Sequence, residues 1–222
     1  MNIFGVPLQE LLLRIPALLL ALTVHEVAHG YIAMRLGDPT ARNLGRLTLN
    51  PLKHLDPIGA LCMLLFRFGW AKPVPINTRY FKNPKRDMAL TALAGPASNF
   101  ILGFIGVLFY YLSLLLFISL PEASGSLLNL QEVWITFLSI FIILNVSFGV
   151  FNMIPVPPLD GSRILLTFLP PKYYFGLMQY ERYISFGLFA LLYIGILDYP
   201  LSWLVSTIIN GMSRIVLLLP IF

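Results

Sequence analysis

The sequence predicts an all-α polytopic membrane protein, and three observations carry that prediction. Of 222 residues, 58% are hydrophobic and only 11% are charged. Mean hydropathy is +0.81. No charged residue occurs between Asp87 and Glu122 or between Glu132 and Asp160. A soluble domain carries about 25% charged residues. Half that share leaves too little polar surface to wrap a soluble globule, so a soluble enzyme, a disordered chain and a coiled coil are excluded.

A span needs roughly 20 apolar residues to cross about 30 Å of hydrocarbon. Residues 8–34 supply the first. The thirteen residues at the start hold one Glu and no Lys or Arg, so the basic region of a signal peptide is missing and the segment reads as a permanent span. Ten of the fifteen Lys and Arg residues then fall between Arg35 and Arg86, against Asp38 and Asp56. In a soluble protein that bias suggests nucleic acid; here it reads as a cytoplasmic loop under the positive-inside rule, with Lys82, Lys85 and Arg86 anchoring at anionic lipid. Within this loop, Ile58–Phe66 is too short to cross and reads as a re-entrant piece. The segment 70–78, with Pro73 and Pro75 among Val and Ile, reads as an extended edge strand or hairpin at the cytoplasmic face.

Residues 90–119 and 133–153 give two further spans. The loop 120–132, with Glu122, Glu132 and no basic residue, faces outside; the segment 160–182, with Arg163, Lys172 and Arg182, returns to the cytoplasm. A closing pair, 183–197 and 201–219, is split by Asp198, Tyr199 and Pro200. The pattern predicts about five to six transmembrane helices, five of them full crossings in the charge-based topology, with the N-terminus outside. It predicts one domain over 1–222, with a core at about 8–165 and closing helices at about 170–222. Tyr and Trp near the span ends read as an aromatic belt. Cys62 stands alone, so there is no disulfide framework and no cysteine metal site.

The chemistry is concentrated in His25-Glu26-Val27-Ala28-His29. Positions i and i+4 share one helix face, so the two imidazoles can bind one zinc ion with Glu26 beside it as general base. The apolar run Leu18–Val24 places this motif inside or at the edge of the bilayer, where a charged group costs roughly 2.5–3.5 kcal/mol or more. A metal cation compensates that cost; a hydrogen-bonded interfacial cluster is the plainer alternative. A catalytic zinc usually takes three protein ligands. Asp160 follows the uncharged window in Asn152-Met153-Ile154-Pro155-Val156-Pro157-Pro158-Leu159-Asp160-Gly161. Its prolines break the helix, and broken backbone at membrane depth is tolerated only where protein covers it or it lines a cavity. Asp160 then either points into that cavity or caps a cytoplasmic helix starting near Ser162. His54, in the basic loop, is the runner-up ligand, with ordinary solvation as its plain reading.

Taken together these motifs resemble the site-2 protease family of intramembrane zinc metalloproteases, in its short prokaryotic form without a PDZ domain. His25, Glu26 and His29 match its H-E-x-x-H, Leu159-Asp160-Gly161 its L-D-G, Gly95-Pro96-Ala97-Ser98-Asn99 its G-P-x-x-N, and Asn152 heads its N-x-x-P. The match covers about residues 20–165. The resemblance implies one zinc ion held by His25, His29 and Asp160. It implies that Asn99 and Asn152 line the site and contact substrate backbone or the oxyanion, and that His54 lies near its mouth. It implies hydrolysis of membrane-embedded protein segments by a multi-pass cell-membrane enzyme whose site lies towards the cytoplasm. The partners expected are a substrate helix and the lipid bilayer, not nucleic acid. A membrane metal transporter and an inactive segment-binding scaffold are the alternatives; the first predicts ligands spread over several depths, the second a missing Glu.

Overall fold

The computed structural model describes residues 2–3, 6–59, 72–119, 125–168, 170 and 179–221. The chain opens on a two-residue antiparallel ladder, β1 (Asn2–Ile3) with β2 (Val6–Pro7). All other regular structure among the described residues is helical, as the composition predicts. The long helices are α1 (Leu8–Arg35), α3 (Pro84–Ser119) and α4 (Gly125–Asn152). Shorter ones are α2 (Thr40–Asn43), α5 (Asp160–Phe168), α6 (Glu181–Ile194) and α7 (Asp198–Leu217). Pro16 and Pro96 lie inside α1 and α3. Spans tolerate such interruptions because neighbouring helices and side chains satisfy the freed backbone groups.

Among the described residues, three helices are long and apolar enough to cross a membrane, or four if the bent pair α6–α7 is one span. That is fewer than the five to six expected. The difference lies in the closing segments. Helix α6 has 14 residues, about 21 Å at 1.5 Å per residue, which falls short of the hydrocarbon thickness. At Gly195 the chain turns, with φ of 81°, and α7 leaves at 83° to α6. The re-entrant reading of Ile58–Phe66 falls mostly outside the described residues, as do Cys62, Trp70 and Ala71.

Helices α1, α3 and α4 pack as the central layer, and α5 and α7 pack on α3. Val107, Ile142, Val146, Val150 and Val216 form a buried cluster joining α3, α4 and α7. Two connections matter for the site. The first ends α1: Gly37 adopts φ of 111°, its N–H donates to the Met34 carbonyl, and the Asp38 N–H donates to the Ala33 carbonyl. This paired closure uses orphan carbonyls at a helix end, and its left-handed residue is most often glycine. It delivers Asp38 into a wholly buried position. The second is residues 72–77, a strap without regular secondary structure. Its backbone tie among the described residues is the Lys72 N–H to the His54 carbonyl, and no strand is assigned within it. Pro73 and Pro75 remove two of the N–H groups a ladder would need.

Candidate metal centre

Two chain segments converge at one buried point. His25, Glu26 and His29 lie on the buried face of α1. Asp160 is the first residue of α5, just after the proline-rich break between α4 and α5. Its Oδ2 stands 3.2 Å from Nε2 of His25 and 3.2 Å from Nε2 of His29, and the two Nε2 atoms are 3.0 Å apart. So Asp160 turns towards the imidazoles instead of serving only as a helix cap.

The ring protons can be placed from the partners on the far side. Nδ1 of His29 lies 2.7 Å from the Thr91 carbonyl, which only accepts, so that nitrogen carries the hydrogen. Nδ1 of His25 lies 2.6 Å from Oδ1 of Asn99. The amide orientation of Asn99 follows from its nitrogen, which donates to the Ala21 carbonyl at 3.2 Å and to Oδ1 of Asn145 at 3.0 Å. With both protons on Nδ1, both Nε2 atoms present lone pairs to the carboxylate of Asp160. Three acceptors therefore face one another, and Asp160 Oδ2 is a buried oxygen with no hydrogen-bond donor. Such a group is strongly repulsive without a cation among its members.

Two imidazoles and a carboxylate suit zinc, whose bonds of about 2.0–2.1 Å place tetrahedral donors roughly 3.3 Å apart. The observed spacing of 3.0–3.2 Å fits. The outer partners Asn99 and Thr91 hold the ring tautomers that metal ligation needs. Gly95 forms the floor. A Cβ there would clash with Nε2 of His29 and lie 2.6 Å from Cε1 of His25. His25, His29 and Asp160 are the one group among the described residues with metal-binding geometry.

The remaining expected site residues fall elsewhere. Asn99 is wholly buried behind His25 with both amide hydrogens engaged, so it has no donor left for an oxyanion. Asn152 donates to the Phe148 carbonyl of its own helix at 3.1 Å. His54 is outside the donor group. It is not a solvated loop residue either: it is 1% exposed, with Nε2 2.8 Å from the Thr48 carbonyl. Its burial comes from the basic loop folding back on itself, which local polarity does not reveal.

Glu26 is 9% exposed, and its Oε2 accepts the Val74 N–H at 2.8 Å. Two contributors were missed in the sequence. Thr91 acts through its backbone carbonyl and leaves no residue-type signal. Asn145 did leave one: with Asn152 it is one of two amides in the long uncharged window, and polar groups at that depth are costly unless partnered.

Membrane-length helices carrying a buried His-His-Asp donor group with a glutamate beside it define an integral-membrane metallohydrolase class. A family comparison agrees, because residues 14–194 match the model of peptidase family M50. The chain belongs to that family. Two similar proteins bear the name "Putative zinc metalloprotease". YwhC of Bacillus subtilis (strain 168) is 41% identical over 197 residues, covering 89% of this chain and 87% of its own. Rip2 of Mycolicibacterium smegmatis is 29% identical over 167 residues, covering 72% and 59%. Zinc metalloprotease MJ0392 of Methanocaldococcus jannaschii is 27% identical over 156 residues, covering 70% of this chain and 34% of its own. No solved structure matches the chain significantly.

Proposed function

We propose that this protein is an intramembrane zinc metalloprotease that hydrolyses peptide bonds of membrane-embedded protein segments. The observation that carries the reading is the donor triangle of His25, His29 and Asp160, three mutually facing acceptors beside Glu26. Bound zinc supplies Lewis acidity, which polarises a peptide carbonyl and acidifies water. His25, His29 and Asp160 would hold the ion. Glu26 is the general base: it takes a proton from the attacking water and delivers it to the leaving amine. Asn99 and Thr91 keep the imidazoles oriented. The site lies on a helix of membrane length, and its polar supports reach Asn145 within α4, which supports a substrate that enters from the bilayer.

The charge pattern supports a multi-pass protein with its N-terminus outside and the site towards the cytoplasm. A metal transporter fits less well. It needs donors along a route, whereas the metal-capable donors among the described residues form one group.

The test is zinc content and cleavage in detergent-purified protein. Wild type should hold about one zinc per chain, and Asp160→Ala should lose it. Glu26→Gln should keep the zinc and lose roughly 10²–10⁴-fold in cleavage of a fluorogenic single-pass model substrate. Zinc retained by Asp160→Ala would move the third ligand elsewhere. Metal uptake into liposomes unaffected by Glu26→Gln would favour transport.

A further inference from the structure

The mechanism above leaves unused a wholly buried carboxylate, Asp38, whose recorded partners are all neutral donors. Its Oδ1 accepts the Thr40 N–H at 2.9 Å and the Thr40 hydroxyl; its Oδ2 accepts the Asn77 N–H at 2.6 Å. Burying an ionised carboxylate is expensive, and short N–H donors are what make it tolerable. Asn77 ends the strap 72–77 whose Val74 N–H holds Glu26.

The strap is tied at its other end as well. The Lys72 N–H donates to the His54 carbonyl at 2.9 Å, and the Arg46 guanidinium donates to the Lys72 carbonyl at 2.7 Å. Between these ties Val74 is buried, its Cγ1 only 3.0 Å from where a Cβ on Gly30 would stand. Gly30 follows His29 on α1. The strap is thus pressed onto the same turn of α1 that carries the metal donors. It donates the Val74 N–H to Glu26 at 2.8 Å, and Pro73 and Pro75 on either side have none to compete.

We propose that Asp38 is a positioning residue for the reaction: by fixing Asn77 it holds the strap in place, so that the Val74 N–H sets the orientation of the Glu26 carboxylate. A base whose carboxylate rotates freely spends time in unproductive geometry, and a fixed donor on one oxygen leaves the other directed for proton transfer. The inference rests on Glu26 being the base. It adds that the base is held from outside its own helix, by a loop whose anchor lies twelve residues along the chain from it.

The test has two arms on the full-length, zinc-loaded protein. The first is hydrogen exchange at the Val74 amide, read from segment 72–78 with no substrate present. Wild type should protect it. Glu26→Ala, which removes the acceptor, and Asp38→Ala, which frees the strap, should each speed exchange about tenfold, the loss of roughly one hydrogen bond, with zinc content unchanged. The second arm is cleavage of the fluorogenic model segment. Asp38→Ala should lower kcat about 10-fold or more with KM little changed, Asp38→Asn should lower it less, and Val74→Pro, which deletes the donor, should match Asp38→Ala. Val74→Ala keeps the N–H and should lose far less than Val74→Pro.

Equal Val74 exchange in wild type and Glu26→Ala would overturn the proposal. So would full kcat in Asp38→Ala while Glu26→Gln is dead, an outcome that leaves the role of Glu26 standing. An active Glu26→Gln would instead remove the underlying reading. If Asp38→Ala does not fold, Asp38→Asn carries both readouts, and wild-type Val74 exchange and kcat in that variant would overturn the proposal.

Discussion

Asn145 on α4 accepts a hydrogen bond from the amide of Asn99 on α3 at 3.0 Å, and Asn99 in turn accepts from His25 on α1. Three helices are therefore joined by one polar chain that ends on a metal donor. Replacing Asn145 by Leu leaves one amide hydrogen of Asn99 unsatisfied in a buried site. Zinc affinity should fall roughly 10-fold, within the 10–100-fold range for outer partners of metal ligands. Competition against a chromophoric chelator measures it; unchanged affinity would show that Ala21 alone holds Asn99.

Gly95→Ala should abolish zinc binding, because the added methyl falls between the two imidazoles. Gly187→Ala is the matched control. Nothing lies within 4 Å of a Cβ at that exposed helical position. It should bind zinc normally and gain about 0.5–1 kcal/mol in stability, from helix propensity. Zinc content and thermal unfolding of the two proteins separate the effects.

His54→Ala should retain the metal in full. The side chain is tied to the Thr48 carbonyl and lies outside the donor group. The cost should appear as about 1 kcal/mol of stability, from the lost hydrogen bond. Zinc loss in this variant with normal folding would reinstate His54 as a ligand.

The proposed topology makes a labelling prediction. In a Cys62→Ser background, Lys82→Cys should react with a membrane-impermeant maleimide only from the cytoplasmic side. Glu132→Cys should react only from the outside. The reverse pattern would invert the molecule and place the site outward.

The strap also bears on whether an unwound substrate segment could pair with it as a strand. The N–H groups of Lys72, Val74 and Asn77 are already accepted by protein oxygens, and the prolines have none. Ile76 keeps an N–H with no partner among the described residues. Ile76→Pro should therefore raise KM and spare kcat if substrate docks there as a strand, since uniform binding alone is lost. Unchanged KM would mean that strand pairing at this edge is not used.

The parts of the site that read from the sequence are those fixed by local geometry. His25 and His29 share a face because a helix repeats every 3.6 residues, and no tertiary information is needed to see it. Asp160 was ambiguous on residues alone. A proline break announces a cavity or a loop, and only the resemblance to a protease family chose between them. Asn99 lies behind His25, and its motif gives its place in the chain but not which side of His25 it occupies. The burial of Asp38 is not legible in the sequence, since burial of a residue past a helix end depends on what folds over it. The spans divide in the same way. Long uncharged windows point to α3 and α4 and an apolar run to α1, while the bend between α6 and α7 is a matter of one glycine torsion and of packing.

The proline-rich break also orders events during synthesis. His25 and His29 leave the ribosome long before Asp160, and a nascent chain that stops short of the break carries two of the three proposed donors. Such a chain lacks the carboxylate that completes the donor group. Placing the last donor beyond α4 means that hydrolytic competence arises only once the central helices are threaded and packed. On the proposed reading, the order of the chain makes assembly of the site the last step of its synthesis.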